Sequence, residues 1–194
     1  MSTPSTREHL LEIGLERLRS TGYTATGVKE VLDLANVPKG SFYHYFESKE
    51  AFAVEVFQRY ADGEMERAER ILGDRKVSPL KRLRKYFEEL ISVYGQAGAI
   101  SGCLVGSLSL EVADHSPKLR SQLQTVFGGW QQGIADVLRE AIDRGDLPRS
   151  AKPDELAGFL LNSYEGALVR MKAEKSDEPL HTFLHFAFNV LLKK

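Results

Sequence analysis

Residues 26–50 read TGVKEVLDLANVPKGSFYHYFESKE, a pattern of two short helices joined by a tight corner. Thr26 is a good N-cap for the first, which carries Val28, Val31, Leu32 and Ala35 as its apolar stripe and ends at Asn36. A corner at Asn36-Val37 needs a residue that tolerates positive φ; glycine is best and asparagine next. Val37 then tucks an apolar side chain under the corner. Pro38 stands in the first turn of the second helix, where a missing N–H costs nothing, and the helix covers Lys39–Tyr45. Phe42 and Phe46, four residues apart, face a core together. That leaves Lys39, Gly40, Ser41, Tyr43, His44 and Tyr45 outward or sideways. The geometry is that of a helix–turn–helix whose second helix enters the major groove of double-stranded DNA. Two tyrosines and a histidine are costly to expose without a partner; they offer phosphate donors and rings that touch thymine methyls. Lys39 sits at the helix start, Gly40 lets backbone approach a base edge, and Lys49 with its helix N-terminus offers a further phosphate site.

Outward from this segment, helical periodicity continues and no alternating run is long enough for a strand. Upstream, a helix from about Thr6 to Ser20 opens on Ser5 and Glu8, spaced as a capping box, and stops at Gly22, with Tyr23 buried. Downstream, Ser48 caps a long helix to roughly Ile71; Ser78-Pro79 opens another to about Gln96; Ser101 starts one through about Val112. Pro117 begins a long helix to Arg144, a loop holds Gly145, Pro148 and Pro153, and two helices follow, from Asp154 to about Lys175 and from Pro179 to Leu192. The expected fold is all-α, about nine helices. An N-terminal three-helix unit, 1–47, joins a larger helical ligand-binding and dimerisation domain, 48–194.

Composition sets limits on partners. The 194 residues carry 26 Lys+Arg against 27 Asp+Glu. This near-neutral balance excludes a tail-driven polyanion binder, so any nucleic-acid contact must come from local geometry. Residues 1–50 hold Arg7, Arg17, Arg19, Lys29, Lys39 and Lys49 against seven acidic side chains, so the unit is not basic either; two copies acting together supply the contacts. One cysteine rules out a disulfide framework within the chain and fits a reducing compartment. No secretory pattern opens the sequence and no apolar stretch approaches the roughly 20 residues of a membrane span. The cytoplasm is the expected place.

Residues 38–52, Pro-Lys-Gly-Ser-Phe-Tyr-His-Tyr-Phe-Glu-Ser-Lys-Glu-Ala-Phe, with Gly22-Tyr23-Thr24-Ala25-Thr26 upstream, resemble the signature of TetR-family transcriptional repressors. The likeness covers about residues 7–55, with Asn36 where the family usually has glycine. Carried over position by position, it implies DNA contacts from Thr26, Lys39, Gly40, Tyr43, His44, Tyr45 and Lys49. It also implies an all-α homodimer whose C-terminal domain binds an inducer that releases the operator.

The last two helices suggest the dimer. Phe183, Leu184, Phe186, Phe188, Val190 and Leu191 surround the final helix, so one buried face is not enough for it. The preceding helix offers Leu156, Phe159, Leu160, Tyr164 and Leu168 among small residues. Cys103 is the sharpest single residue of this half. If Ser101 caps its helix, Cys103 lies in the first turn, where the dipole and free N–H groups favour thiolate. The segment Ile100–Val112 resembles a TetR subgroup that governs reductases and responds to reactive electrophiles or small unsaturated acids. In that subgroup a lysine of the penultimate helix lies near the cysteine, and Lys172 is the matching position. The alternative is a buried thiol that only packs. A non-covalent pocket among the middle helices is the neighbouring option, from Tyr86, Tyr94, Phe127, Trp130 and Tyr164, with Arg170 or Lys172 pairing an acidic ligand.

Other features read blandly. The basic run Arg75, Lys76, Lys81, Arg82, Arg84 and Lys85 is a solvated helix face. His181 and His185 lack a third metal ligand, and Glu111, Asp114 and His115 raise the same question with the same answer. No cofactor and no catalytic residue is expected. A thiol-dependent helical enzyme or a ligand carrier without DNA binding is the competing reading, weakened by the absence of a histidine positioned beside Cys103 in sequence and of phosphate-loop or hydrolase motifs.

Overall fold

The computed structural model describes residues 5–95 and 102–193, the side chain of Tyr94 excepted. Among these residues there are nine α-helices and no strand: α1 Thr6–Ala25, α2 Val28–Ala35, α3 Phe42–Tyr45, α4 Lys49–Leu72, α5 Pro79–Gly95, α6 Leu104–Val112, α7 Pro117–Asp143, α8 Pro153–Glu174 and α9 Glu178–Phe186. The second helix of the corner is shorter than the sequence suggests. A 3₁₀ turn at Lys39–Ser41 precedes a single α-turn. The last helix also changes character, since residues Ala187–Leu191 form a π-turn rather than a continuation to Leu192.

Local chemistry explains the helix ends. Ser5 Oγ accepts from Glu8 N at 3.3 Å and Ser5 N donates to Glu8 Oε2 at 2.9 Å, the expected capping box. Gly22, at φ 87°, breaks the helical path of α1 near its end. Ser48 Oγ accepts from Ala51 N at 3.0 Å at the start of α4, and Ser116 Oγ does the same for Leu119 N at 3.1 Å in α7. Pro153 opens α8 with Asp154 and Glu155 in its first turn, where acidic side chains favour the helix dipole.

The chain packs into two compact units. One unit takes the chain through Gly63 together with Leu104–Gln124; the other takes Glu64–Cys103 and the chain from Thr125 onward. The cut therefore falls inside α4 and α7, because α6 and the first turns of α7 supply apolar side chains to the first unit. In that unit Phe42, Phe46 and Phe52 form a ring cluster with centroids 4.8–5.3 Å apart, at 3% exposure or less. Gly14 admits it: a Cβ there would stand 2.3 Å from Phe52 Cζ. Leu104, Val105, Leu108 and Val112 of α6 are buried in the same unit, and Glu111 Oε2 accepts from Thr24 N at 2.8 Å.

The second unit is centred on Phe87, whose ring lies 5.0 Å from Phe183 and 5.3 Å from Tyr164. It also overturns one expectation. Arg82, read from sequence as part of a solvated basic face, has a side chain only 1% exposed, with Nη2 donating to Glu140 Oε2 at 2.5 Å. Its neighbours Lys81, Arg84 and Lys85 are exposed as expected. The difference is helical phase: Arg82 shares the inward face of α5 with Tyr86 and Leu83 beside it.

Candidate nucleic-acid interface and interior cavity

The corner between α2 and α3 is built as its sequence requires. Asn36 adopts φ 53°, ψ 40°, the left-handed region; its N–H reaches Asp33 O at 3.3 Å and Val37 N reaches Leu32 O at 3.0 Å. Phe42 and Phe46 are buried and hold the next turns to the core. Lys39, Gly40, Tyr43 and His44 are exposed, Tyr43 to 69%. A Cβ at Gly40 would meet nothing within 4 Å, so the backbone there is open to an approaching surface. Tyr45 is half-buried, its ring 5.2 Å from His44 and 6.4 Å from Phe46.

Two residues expected to reach DNA are placed differently. Thr26 is 2% exposed, and its Oγ1 donates to Gly22 O at 2.6 Å with Thr21 Oγ1 at 3.1 Å. Nor does it cap α2, whose N-cap is Gly27 with no side-chain hydrogen bond. The hydroxyl instead closes the end of α1, joining the Thr26 N–H, at 3.3 Å, on the Gly22 carbonyl. The Lys49 ammonium lies 4.5 Å from the centroid of Tyr23, with Thr24 O at 3.4 Å. Partial burial holds it below the usual lysine range, against the pull of Glu111. Tyr23, expected buried, is half-buried under this cation.

The second unit contains a narrow, partly enclosed cavity. Glu64, Tyr86, Cys103, Trp130, Tyr164 and Glu165 are among its lining. Its volume is only about 10 Å³, on the order of one water molecule. Three of the five ligand or sensing residues expected from sequence, Cys103, Trp130 and Tyr164, converge here. Tyr94 lies outside the described side chains. Lys172 is exposed and absent from the described lining, although its Cδ would stand 3.6 Å from a Cβ at Gly102. Ser101 lies outside the described residues. Cys103 stands immediately before α6 rather than in its first turn, and is buried.

Sequence reasoning passed over two carboxyls. Glu64 is 7% exposed and pairs with Arg67 Nη1 at 2.5 Å. Glu165 has its Oε1 shut from solvent without a hydrogen-bond partner. Burial pushes its carboxyl up to about 7, with the Cys103 side chain, hydrogen-bonded to it, opposing the rise. Burial also raises the Tyr86 phenol well above the tyrosine range, keeping it neutral. A signal was present for Glu165: Leu161 and Leu168, at i−4 and i+3, place it on an apolar helix face.

The outer side of α8 and α9 carries an apolar groove of about 540 Å³. Phe159, Phe186, Val190 and Leu191 on it are 41–58% exposed, too much large apolar surface for a face that meets only water. The nearby histidines are paired locally, His181 with Asp177 and His185 with Asn189, each at 3.2 Å. Among the described residues no three His, Cys, Asp or Glu side chains are grouped to hold a metal, and no helix is long and apolar enough to cross a membrane.

Known proteins match this arrangement from end to end. Residues 10–56 match the family described as "Bacterial regulatory proteins, tetR family", and residues 79–187 match "Tetracyclin repressor-like, C-terminal domain". The chain is 37% identical over 193 residues to the HTH-type transcriptional repressor DhaR of Mycobacterium sp. (strain GP1), spanning 99% of this chain and 95% of that protein. It superposes on the crystal structure of regulatory protein TetR from Rhodobacter sphaeroides with a TM-score of 0.90 at 34% identity, over 96% of this chain and 98% of that one. With the reduced form of E. coli NemR the TM-score is 0.88 at 35% identity, over 96% and 97%.

Proposed function

The chain belongs to the TetR family of bacterial regulatory proteins and is a DNA-binding transcriptional repressor of that type; from this premise we propose how it reads an operator and lets it go. The active form is a homodimer joined through α8 and α9 of each subunit, which covers the apolar groove and its exposed Phe186 and Val190. The two corners then address successive major grooves about 34–36 Å apart on one face of the duplex. Lys39, Gly40, Tyr43, His44 and Tyr45 meet the DNA. Thr26 and Lys49 act from behind them, closing α1 and bracing Tyr23 rather than reaching a phosphate. The protein works in the cytoplasm, where its operator is. The observation that carries this reading is the helix of Phe42–Tyr45, sealed to the core by Phe42 and presenting Tyr43 at 69% exposure.

Release acts through Cys103. The cavity beside it has space for about one water, so an adduct on sulfur fits only if the surrounding side chains move. Cys103 is bonded to Leu104, the first residue of α6, and the far end of α6 holds Thr24 N through Glu111. A modified state with α6 displaced disfavours the operator-bound arrangement, as release requires. Gel retardation on DNA upstream of the protein's own gene tests both halves. Wild type binds with salt-dependent sequence preference, Tyr43→Ala loses roughly 10–100-fold in affinity, and maleimide-labelled wild type loses affinity. Unchanged binding by Tyr43→Ala removes the DNA assignment; unchanged binding by fully labelled protein removes the thiol switch.

A further inference from the structure

A thiol attacks carbon as its thiolate, so the buried Cys103 must pass its proton to a group beside it. The described cavity lining contains no lysine, arginine or histidine to receive or stabilise that charge. It does contain Glu165, whose carboxylate accepts the hydrogen bond of the Cys103 thiol and whose Oε1 is buried without a partner. The other carboxylate facing the cavity, Glu64, is already matched by Arg67. Burial keeps Tyr86 neutral, and the Trp130 indole carries no charge.

Resting on the reading of Cys103 as the inducer-responsive thiol, we infer that Glu165 is the general base of the switch, and that it restricts the inducer to uncharged electrophiles of the α,β-unsaturated carbonyl class. In the reaction the thiol proton passes to the Glu165 carboxylate as sulfur bonds to the β-carbon. The C=C π pair moves onto the α-carbon and carbonyl as an enolate. Glu165 then returns the proton to the α-carbon. The S–H bond and the C=C π bond are lost, C–S and C–H bonds are gained, and no oxidant is consumed. A base that titrates near 7 is matched to this task at physiological pH. An unsaturated carboxylate entering the same space would set a second anion beside Glu165 with little water to screen them, and ionised pairs of that kind are strongly disfavoured.

The test follows alkylation of Cys103 in the full-length protein by mass spectrometry, with acrylamide and with acrylate, across about pH 5–9. Free glutathione supplies the intrinsic reactivity of each reagent. In wild type the acrylamide rate rises through about pH 7, where Glu165 ionises, and the acrylamide-to-acrylate ratio exceeds that of glutathione. Glu165→Gln, checked for folding by its melting curve, slows the acrylamide reaction at neutral pH by roughly 100-fold. It also moves the pH step upward and brings the ratio back towards glutathione's. Glu165→Asp retains a carboxyl and retains a step below that of the Gln variant. A Gln variant with the wild-type pH profile and ratio overturns the assignment of Glu165 while leaving the thiol switch in place. Conversely, a Glu165-dependent profile in protein whose operator affinity ignores alkylation supports the base and removes the switch. Wild-type Cys103 inert at every pH overturns both.

Discussion

Replacing Glu140 by alanine removes the carboxylate that hydrogen-bonds a buried guanidinium. The Arg82 side chain is 1% exposed, and of its nitrogens Nη2 reaches Glu140 at 2.5 Å while Nε and Nη1 are buried without partners. Without Glu140 the charge is stranded, and breaking a buried pair in this way costs about 3–5 kcal/mol. Glu140 is itself 23% exposed, so water softens the loss and the low end, about 3 kcal/mol, is expected. The reverse truncation is milder. Arg82→Met leaves a carboxylate that water reaches and that Arg75 and Arg144 still pair, so about 1 kcal/mol is lost, mostly packing. Arg82→Met with Glu140→Ala should therefore be no worse than Glu140→Ala alone, a coupling of about 1–2 kcal/mol. Urea unfolding at fixed protein concentration reads all four proteins, with unchanged m values as the control for cooperativity. For Glu140→Ala the melting temperature should fall by about 6–12 °C. The reasoning fails if Glu140→Ala costs under about 1 kcal/mol, or if Arg82→Met proves the more damaging of the two singles.

Three further outcomes follow from other parts of the molecule. Asn36→Ala places a Cβ-bearing residue without a local polar side chain at φ 53° and should lower stability by about 1 kcal/mol, with Asn36→Gly neutral or stabilising; urea midpoints of the pair check it. Glu165 titrates higher folded than unfolded, at about 7 against 4.5. Its contribution is therefore fully present below about pH 4.5 and lost as pH rises through about 7, at most about 3 kcal/mol. Glu165→Gln should flatten that decline in a series of urea midpoints against pH, and a wild-type-to-Gln difference independent of pH would contradict it. Phe186→Glu, at a position 58% exposed in the single chain, should convert the dimer to monomer in sedimentation and abolish tight operator binding, because a carboxylate has no partner inside an apolar interface.

The helix–turn–helix was legible because its signals are local. Asn36 is in the left-handed region for the reason its position suggested, and Phe42 and Phe46 are buried as their four-residue spacing suggested. Capping residues located most helix starts for the same reason, since the groups they satisfy lie within one turn. α6 begins at Leu104, so Cys103 stands just before it rather than in its first turn as expected. The cavity was half legible. Cys103, Trp130 and Tyr164 were named, but the carboxyls that give the cavity its chemistry were not.

Glu64, Tyr86, Cys103, Trp130 and Glu165 come from five separate stretches of chain, and nothing within a helical turn of any of them announces the others. Arg82 and Lys49 make the same point from the opposite side. Arg82 was read as a solvated cation and Lys49 as a phosphate contact, yet each meets a partner tens of residues away, Glu140 for one and Tyr23 for the other. By itself the sequence determined where most helices begin, how the corner turns and which short helix is offered outward, because these depend on backbone and side-chain contacts a few residues apart. Only the tertiary structure decided which charges are buried, what stands beside the single thiol and which apolar face is left uncovered. Those depend on desolvation by distant segments, and desolvation has no signature in sequence spacing.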